Sequence, residues 1–240
     1  MKKHKYLAAA AMLCCSLAFS GCGDDGGARS SSSPSSSTVQ TEAAPSGVQA
    51  GAKDTKKLVI YFSYLDNVEA GNIHSDQYDV MTTASIQVRD GKQLGTSRVI
   101  AERIAKDTGA DVYSLQQKEK YSTDYDKVTA QGKEEKEANI RPELAGSLPD
   151  LSKYDTVFIV YPIWWYDLPM AYYSFFDKAD LSGKQVYVVE SSGGSGFLDT
   201  IDAIKKAEPG AKVDEQGLAF EPPQDNIESR VDEWLKGKGF

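Results

Sequence analysis

The chain has 240 residues and a formal net charge of −8, from 35 acidic and 27 basic side chains. A protein this acidic does not favour nucleic acid or anionic lipid surfaces, so we expect no nucleic-acid partner. The first 55 residues lack the pattern of a folded domain, and about 185 residues remain for a single core.

Residues 1–21 have the pattern of a secretory signal peptide. Three lysines among the first five residues precede an apolar stretch that ends at Phe19 and is too short to cross a bilayer. The stretch from Phe19 to Cys22 resembles the lipobox of bacterial lipoproteins, which implies cleavage before Cys22 and lipidation of its thiol. We therefore expect a lipoprotein anchored to the cell membrane on its extracytoplasmic side. The alternative is an ordinary cleaved signal peptide that leaves a cysteine behind.

Residues 22–55 are predicted to be a disordered tether, because they are rich in Ser, Gly and Pro and contain almost no large apolar side chain. Loss of residues 1–21 would change the charge from −8 to −11, since that segment holds three lysines and no acidic residue. Cys14 and Cys15 would leave with the signal peptide, and Cys22 would be acylated. The mature chain then has no thiol for a disulfide or for a metal site.

From residue 56 onward, strand-like and helix-like segments alternate. The strand-like segments are short, rich in Val, Ile, Tyr and Phe, and bounded by turn residues. Two of them are near-continuous apolar runs, as parallel strands covered on both faces require. The predicted strands cover residues 56–63, 110–115, 155–162, 184–192 and 215–220.

The segments between the strands have helical periodicity. The first should stop at Gly109, and the fourth spaces Leu198, Ile201 and Ile204 along one face. The second contains the charged run 133–137, which we interpret as a solvated face. The predicted helices cover residues 96–109, 123–142, 170–177, 197–210 and 225–235.

Two helix starts carry recognisable signals. Pro169 suits the first turn of the helix at 170–177. Asp225 and Glu228 form a capping-box pattern at the start of the last helix, and Ile227, Val231 and Trp234 fall on one of its faces.

Five strands alternating with five helices predict a doubly wound α/β fold with a parallel sheet and helices on both faces. Ligands of such sheets bind outside the carboxyl ends of the strands, so the loops after the first, third and fourth strands are the candidate site. One connection is unusually long: residues 64–94 form an insert between the first strand and its helix. Within it, residues 85–94 are predicted to form a hairpin that turns at Asp90 and Gly91. The insert is either a lid or partner surface, or a decorative extension.

The first candidate loop joins Ser63 to the helix start at Gly95, Thr96 and Ser97. A helix start presents unpaired N–H groups and partial positive charge, and adjacent hydroxyls add donors, so this loop could hold a phosphate. The alternative is a plain N-cap, for which Ser and Thr are common.

The second candidate loop contains Trp164, Trp165 and Tyr166, directly after the third strand. These rings could belong to the core. Consecutive residues of an extended chain point to opposite sides, however, so at least one indole should face the crevice.

The third candidate loop, residues 190–197, is rich in glycine and serine. Gly193 and Gly194 allow close approach of the backbone to a ligand, and Ser191, Ser192 and Ser195 offer hydroxyls. A hydrolase elbow is excluded because Phe197 stands where G-x-S-x-G requires glycine. His74, inside the insert, is the only histidine after the signal peptide and is expected at the surface, so we expect no catalytic triad and no metal site.

A phosphate cradle, an aromatic wall and a glycine-rich rim at one end of a parallel sheet suit a flat aromatic ligand with a single phosphate. Flavin mononucleotide (FMN) fits that description.

From residue 56 to the C-terminus, the chain resembles bacterial flavodoxins. The resemblance rests on YPIWW at 161–165, GGSGF at 193–197 and EANIRPEL at 137–144. It implies a five-stranded parallel sheet in the order 2-1-3-4-5 and non-covalent binding of FMN.

The same resemblance implies how FMN is held. Its phosphate would lie on Ser63, Thr96 and Ser97, and the far edge of its ring would meet the stretch from Ser192 to Ser195. The ring itself would lie among Pro162, Ile163, Trp164, Trp165 and Tyr166.

Three departures from the family pattern stand out. The insert splits the phosphate loop into two pieces. Tyr166 occupies a position where the family often has glycine. Ser192 stands where a histidine is frequent.

An aromatic, poorly solvated site in an acidic protein disfavours a second negative charge on the flavin, which favours one-electron transfer. The expected function is therefore electron transfer through FMN, with a redox protein or a quinone-type molecule as partner and no catalytic side chain. One alternative is an FMN-dependent NAD(P)H:quinone-type oxidoreductase, although no second dinucleotide fingerprint is present. The other is a docking module that has lost the flavin.

Overall fold

The computed structural model describes residues 56–68, 84–90, 92–221 and 226–240. The predicted signal peptide, the tether, Cys22, His74 and Asp225 lie outside these ranges, and what was inferred about them stays a prediction. Among the described helices, none is long and apolar enough to cross a membrane.

The described strands are short, and the longest two each have seven residues. They are β1 (Lys57–Tyr61), β2 (Ile86–Arg89), β3 (Lys92–Gly95), β4 (Asp111–Ser114), β5 (Thr156–Pro162), β6 (Gln185–Ser191), β7 (Lys212–Val213) and β8 (Leu218–Phe220).

A parallel sheet has the order β4-β1-β5-β6-β7, and β8 also pairs with β6. This confirms the predicted fold class and the order 2-1-3-4-5. Every residue of β5 is buried, as expected for a central strand covered on both faces. The antiparallel pair β2 and β3 confirms the predicted hairpin, with Asp90 at a φ of 50° in its turn.

The predicted fifth strand, residues 215–220, is shorter than expected, because β8 begins only at Leu218. The Asp214 carboxylate accepts a hydrogen bond from the backbone N–H of Gln216 (2.7 Å), which turns the chain between β7 and β8. Gly217 then allows close approach, since a Cβ there would lie 2.7 Å from the Val188 carbonyl oxygen.

The helices cover both faces of the sheet. They are α1 (Thr96–Thr108), α2 (Tyr125–Glu137), α3 (Met170–Phe176), α4 (Thr200–Ala207) and α5 (Ile227–Lys238). Apolar residues of α1 and α5 pack on one face around Val59 and Val160, and those of α2, α3 and α4 pack on the other around Ile60 and Ile159. As predicted, α1 stops at Gly109, whose φ is 67°.

Three local predictions were wrong. Pro169 precedes α3 as its N-cap and is not in its first turn. Leu198 lies before α4, is 47% exposed and has a φ of 50°, so it does not share the buried face of Ile204. The charged run 133–137 is not fully solvated, because Glu135 is buried against the core.

Candidate functional site

A cavity of about 460 Å³ opens at the carboxyl ends of β1, β5 and β6. This volume is ordinary for a small-molecule site. Its lining residues come from the loops after those strands, from the part of the insert just before its hairpin, and from α2. They are Tyr64, Ser85, Tyr125, Val128, Thr129, Ile163, Trp164, Trp165, Tyr166, Gly193, Gly194 and Ser195.

The loop after β5 is a tight turn. The N–H of Trp164 donates to the Asp167 carbonyl (2.9 Å), and the N–H of Asp167 donates to the Trp164 carbonyl (3.0 Å). The two central residues, Trp165 and Tyr166, both adopt left-handed backbone conformations, with φ of 50° and 65°. Such turns usually place Asn or Gly there, because a side chain in this conformation costs roughly 1–2 kcal/mol. The Tyr166 side chain is 69% exposed and lies at the mouth of the cavity.

The two tryptophans have different environments. Trp164 packs edge-on against Phe62 (5.4 Å between ring centroids) and Tyr121 (5.1 Å), and its Nε1 donates to Ser85 Oγ (3.2 Å). Trp165 is 38% exposed, and its Nε1 donates to the Thr129 carbonyl (2.9 Å). Both line the cavity, but only Trp164 is anchored in the aromatic core. At least one indole faces the crevice, as predicted, but the two rings diverge because Trp165 lies in a left-handed turn and not in an extended strand.

Helix α2 holds this turn in place. Lys136 Nζ donates to the Trp165 carbonyl and lies 3.8 Å from an Asp167 carboxylate oxygen. The Tyr173 hydroxyl donates to the other oxygen of Asp167 (2.7 Å). Burial, together with the Asp167 carboxylate, raises the pKa of Tyr173, so this hydroxyl stays protonated and keeps its bond.

The loop after β6 forms the opposite rim. Gly193, Gly194 and Ser195 line the cavity. Gly194 has a φ of 113°, a conformation that only glycine adopts readily. Ser192 Oγ accepts a hydrogen bond from the Gly196 N–H (3.1 Å), which folds the loop back on itself.

The two pieces of the predicted phosphate loop meet in space. Ser63, Thr96 and Ser97 are all at most 1% exposed, and Gly95 lies against Ser63. Ser63 Oγ and Ser97 Oγ have no hydrogen-bond partner among the described residues. Buried hydroxyls normally have one, so their position at the start of α1 is suited to an anion. These residues do not line the cavity itself, nor do Pro162, Ser191 and Ser192.

Ala84 and Ser85, which precede the hairpin of the insert, lie between these loops. The Ser191 hydroxyl donates to the Ala84 carbonyl (2.6 Å), and the Thr96 N–H donates to the Ser85 carbonyl (3.1 Å). Ser85 thus contacts both the helix start and Trp164. The contacts of Ala84 and Ser85 fit an insert that lies over the site better than a decorative extension. No motif in the sequence marks Ser85.

Sequence reasoning also missed the wall provided by α2, namely Tyr125, Val128 and Thr129. One signal was present: Gly132 lies mid-helix, and a Cβ there would lie 3.4 Å from Cε3 of Trp164. A glycine inside a helix often marks such a close approach.

A buried carboxyl braces this wall. Glu135 Oε2 accepts from the Tyr121 hydroxyl (2.7 Å), and Oε1 accepts from Gln131 Nε2 (2.9 Å). Burial raises the pKa of Glu135, and Tyr121 in turn packs on Trp164. No group of three or more His, Cys, Asp or Glu side chains within the described ranges is placed to bind a metal.

The sequence model of a family described as flavodoxin matches residues 87–236. No curated protein matches the chain.

Solved structures resemble this fold over most of their length. A candidate flavoprotein from Bacteroides eggerthii is 24% identical, with a TM-score of 0.57 over 78% of this chain and 99% of the other. One from Bacteroides uniformis is 24% identical, with a TM-score of 0.58 over 77% and 99%. A flavoprotein from Lactobacillus acidophilus, solved in complex with FMN, is 17% identical, with a TM-score of 0.50 over 75% and 99%.

Proposed function

Because this chain belongs to the flavodoxin family, we propose that it binds FMN non-covalently and carries electrons through it. The observation that supports this most is the pairing of an aromatic and glycine-lined cavity with two buried, unpartnered hydroxyls at a helix start. The cavity suits a flat ring, and the hydroxyls suit a phosphate.

The residues divide into two groups by chemistry. Ser63, Thr96 and Ser97 would hold the phosphate at the start of α1, where the helix dipole favours negative charge. The stretch from Ile163 to Tyr166 and the rim from Gly193 to Ser195 would enclose the ring and exclude water. Bound FMN supplies the redox chemistry by accepting and releasing electrons.

The protein's part is electrostatic. The walls of the cavity are largely aromatic, and the chain carries an excess of acidic residues. Both features disfavour build-up of negative charge in the site, which favours transfer of one electron at a time. No side chain needs to act as nucleophile or base.

Colour and fluorescence test the proposal. The purified protein should be yellow, or become yellow with added FMN, and tryptophan fluorescence should fall on binding because Trp164 and Trp165 line the cavity. A colourless protein whose fluorescence does not respond to FMN would support the flavin-less docking module instead.

A second assay separates a carrier from a reductase. The FMN-loaded protein is mixed with NADH or NADPH, with and without a quinone. We expect no sustained nicotinamide oxidation, because the sequence carries no second dinucleotide fingerprint. Steady turnover with the quinone would favour the oxidoreductase.

For location, we propose that lipid on Cys22 anchors the protein to the cell membrane on its extracytoplasmic side. Cells grown with labelled fatty acid should label the protein, and the Cys22→Ala variant should lose both the label and membrane association.

A further inference from the structure

Glu190 is a buried carboxyl at the end of β6, directly ahead of the glycine rim. It is 0% exposed, and neither of its carboxylate oxygens has a hydrogen-bond partner of normal geometry among the described residues. An unpaired buried carboxylate is costly, so such a group is usually neutral or has a function.

The side chain lies on the face of the sheet where α4 begins. Glu190 is the register partner of Tyr161 on β5, and neighbouring residues of parallel strands share a face. The Tyr161 hydroxyl donates to Thr200 Oγ1 (2.8 Å), which donates to the Phe197 carbonyl (2.6 Å). Glu190 is thus placed behind the loop that carries Gly193 into the cavity.

The charged and titratable groups that act on Glu190 come from three elements. They are Tyr161 on β5, Glu221 after β8 and Arg230 on α5. The pKa of Glu190 is raised to about 8, chiefly by burial and to a smaller extent by Glu221, whereas a hydrogen bond from Ser192 and the charge of Arg230 favour the charged form.

A charge at Glu190 would be felt in the cavity. Gly193 is three residues away, so the two Cα atoms are at most about 11 Å apart. Two unit charges about 10 Å apart, at an effective dielectric constant of about 20, change an equilibrium constant roughly tenfold.

We propose that Glu190 is a redox-linked proton site, which binds a proton from solvent when FMN in the adjacent cavity gains an electron. This rests on the proposed function. The electron comes from a one-electron donor, and the proton passes from bulk water to a carboxylate oxygen, where an O–H bond forms. The net charge of the complex is unchanged, and re-oxidation releases both the electron and the proton.

The test compares reduction potentials across pH for the FMN-loaded wild type, Glu190→Gln and Glu208→Gln. Glu208 is a matched control: it is also a buried carboxyl whose pKa burial raises, but it lies at the far end of α4, where it accepts from the Leu181 N–H. Potentials are set with dye mediators and dithionite and read from flavin absorbance.

We expect wild type and Glu190→Gln to agree at acidic pH, where Glu190 is neutral. At alkaline pH the wild-type potential should fall below that of Glu190→Gln by about 59 mV for a tenfold coupling. Glu208→Gln should follow the wild type. If Glu190→Gln does not fold, Glu190→Leu replaces it, since an apolar side chain fills the site without titrating.

An infrared difference spectrum provides a direct readout. On reduction at a pH close to the pKa of Glu190, about 8, the wild type should gain the carbonyl band of a protonated carboxylic acid, and Glu190→Gln should lack it. Identical pH profiles for the wild type and the Glu190 variant, with FMN bound in both, would overturn this inference alone. Failure of the wild type to bind FMN would overturn the proposed function as well.

Discussion

A Cβ atom placed on Gly95 would lie 1.9 Å from the Oγ of Ser63. These two residues stand at opposite ends of the insert, and their contact joins the end of β1 to the start of α1. A side chain at residue 95 would therefore displace the Ser63 hydroxyl from its place in the predicted phosphate loop.

The first prediction follows from that contact. Gly95→Ala should displace the Ser63 hydroxyl and weaken FMN binding about tenfold, as measured by fluorescence titration, because that hydroxyl can no longer bind the phosphate. Gly237→Ala is the control: nothing lies within 4 Å of a Cβ there, and alanine in α5 should leave binding unchanged. Equal affinities for both variants would contradict the assignment of this loop.

The second prediction concerns the unequal tryptophans. Trp165→Ala should weaken FMN binding by more than about 1 kcal/mol with little loss of stability, since its ring is partly exposed. Trp164→Ala should lower the free energy of unfolding by about 3 kcal/mol, because it packs on Phe62 and Tyr121. Urea unfolding and FMN titration on both variants measure this. Small and equal effects of the two variants on FMN binding would show that neither ring stacks on the flavin.

The third prediction uses the strained turn. Tyr166→Gly should raise the free energy of unfolding by up to about 1 kcal/mol, because glycine adopts a positive φ without steric cost. Tyr166→Ala removes the same ring but keeps a Cβ, so it should show no such gain. Thermal unfolding of the two variants separates the backbone effect from the side chain; a gain shared by both would show that the strain lies elsewhere.

The fourth prediction is a pH dependence in the protein without FMN. Burial raises the pKa of Glu190 from 4.5 to about 8. The folded state therefore holds this proton more tightly than the unfolded state, and the stability contributed by the neutral acid is lost as pH rises through that window. Glu190→Gln should gain stability relative to the wild type from pH about 5 to pH about 9, by at most about 5 kcal/mol.

Urea unfolding at the two ends of that range checks the sign. Burial raises the pKa of Glu208 as well, so Glu208→Gln should change stability in the same direction over this range. A Glu190→Gln advantage that is the same at both pH values would mean that the residue does not titrate in the folded state.

Much of the fold was predictable because its strands are continuous apolar runs. β5 and β6 could be predicted from their own residues, because burial on both faces requires apolar sequence. Their alternation with helices predicted a parallel sheet, and the strand order came from the resemblance to flavodoxins. The local predictions that were wrong depend on short-range contacts that no sequence pattern marks. The turn at Asp214, which delays the start of β8, depends on a side-chain hydrogen bond. The positive φ of Leu198 depends on the loop before α4.

The candidate site was only partly predictable for a related reason. Trp164, Trp165 and Gly193 lie next to strand ends and could be found from position alone. Ser85 and Thr129 line the cavity only because of tertiary packing. Ser85 belongs to the insert, and Thr129 belongs to α2, which has a polar sequence. Glu135 looks like part of a solvated charge run until Tyr121 is seen to cover it.

The meeting of Ser63 with Gly95 has an evolutionary consequence. The contact of Ser63 with Gly95 holds the two ends of the insert together, and Tyr64 and Ser85 line the cavity. The stretch between Tyr64 and Ser85 can therefore change length without moving any of these residues. Closing a longer loop is inexpensive, about 0.6 kcal/mol for each doubling. Lineages of this protein could therefore exchange this stretch as a module and acquire new partners while keeping the same cavity.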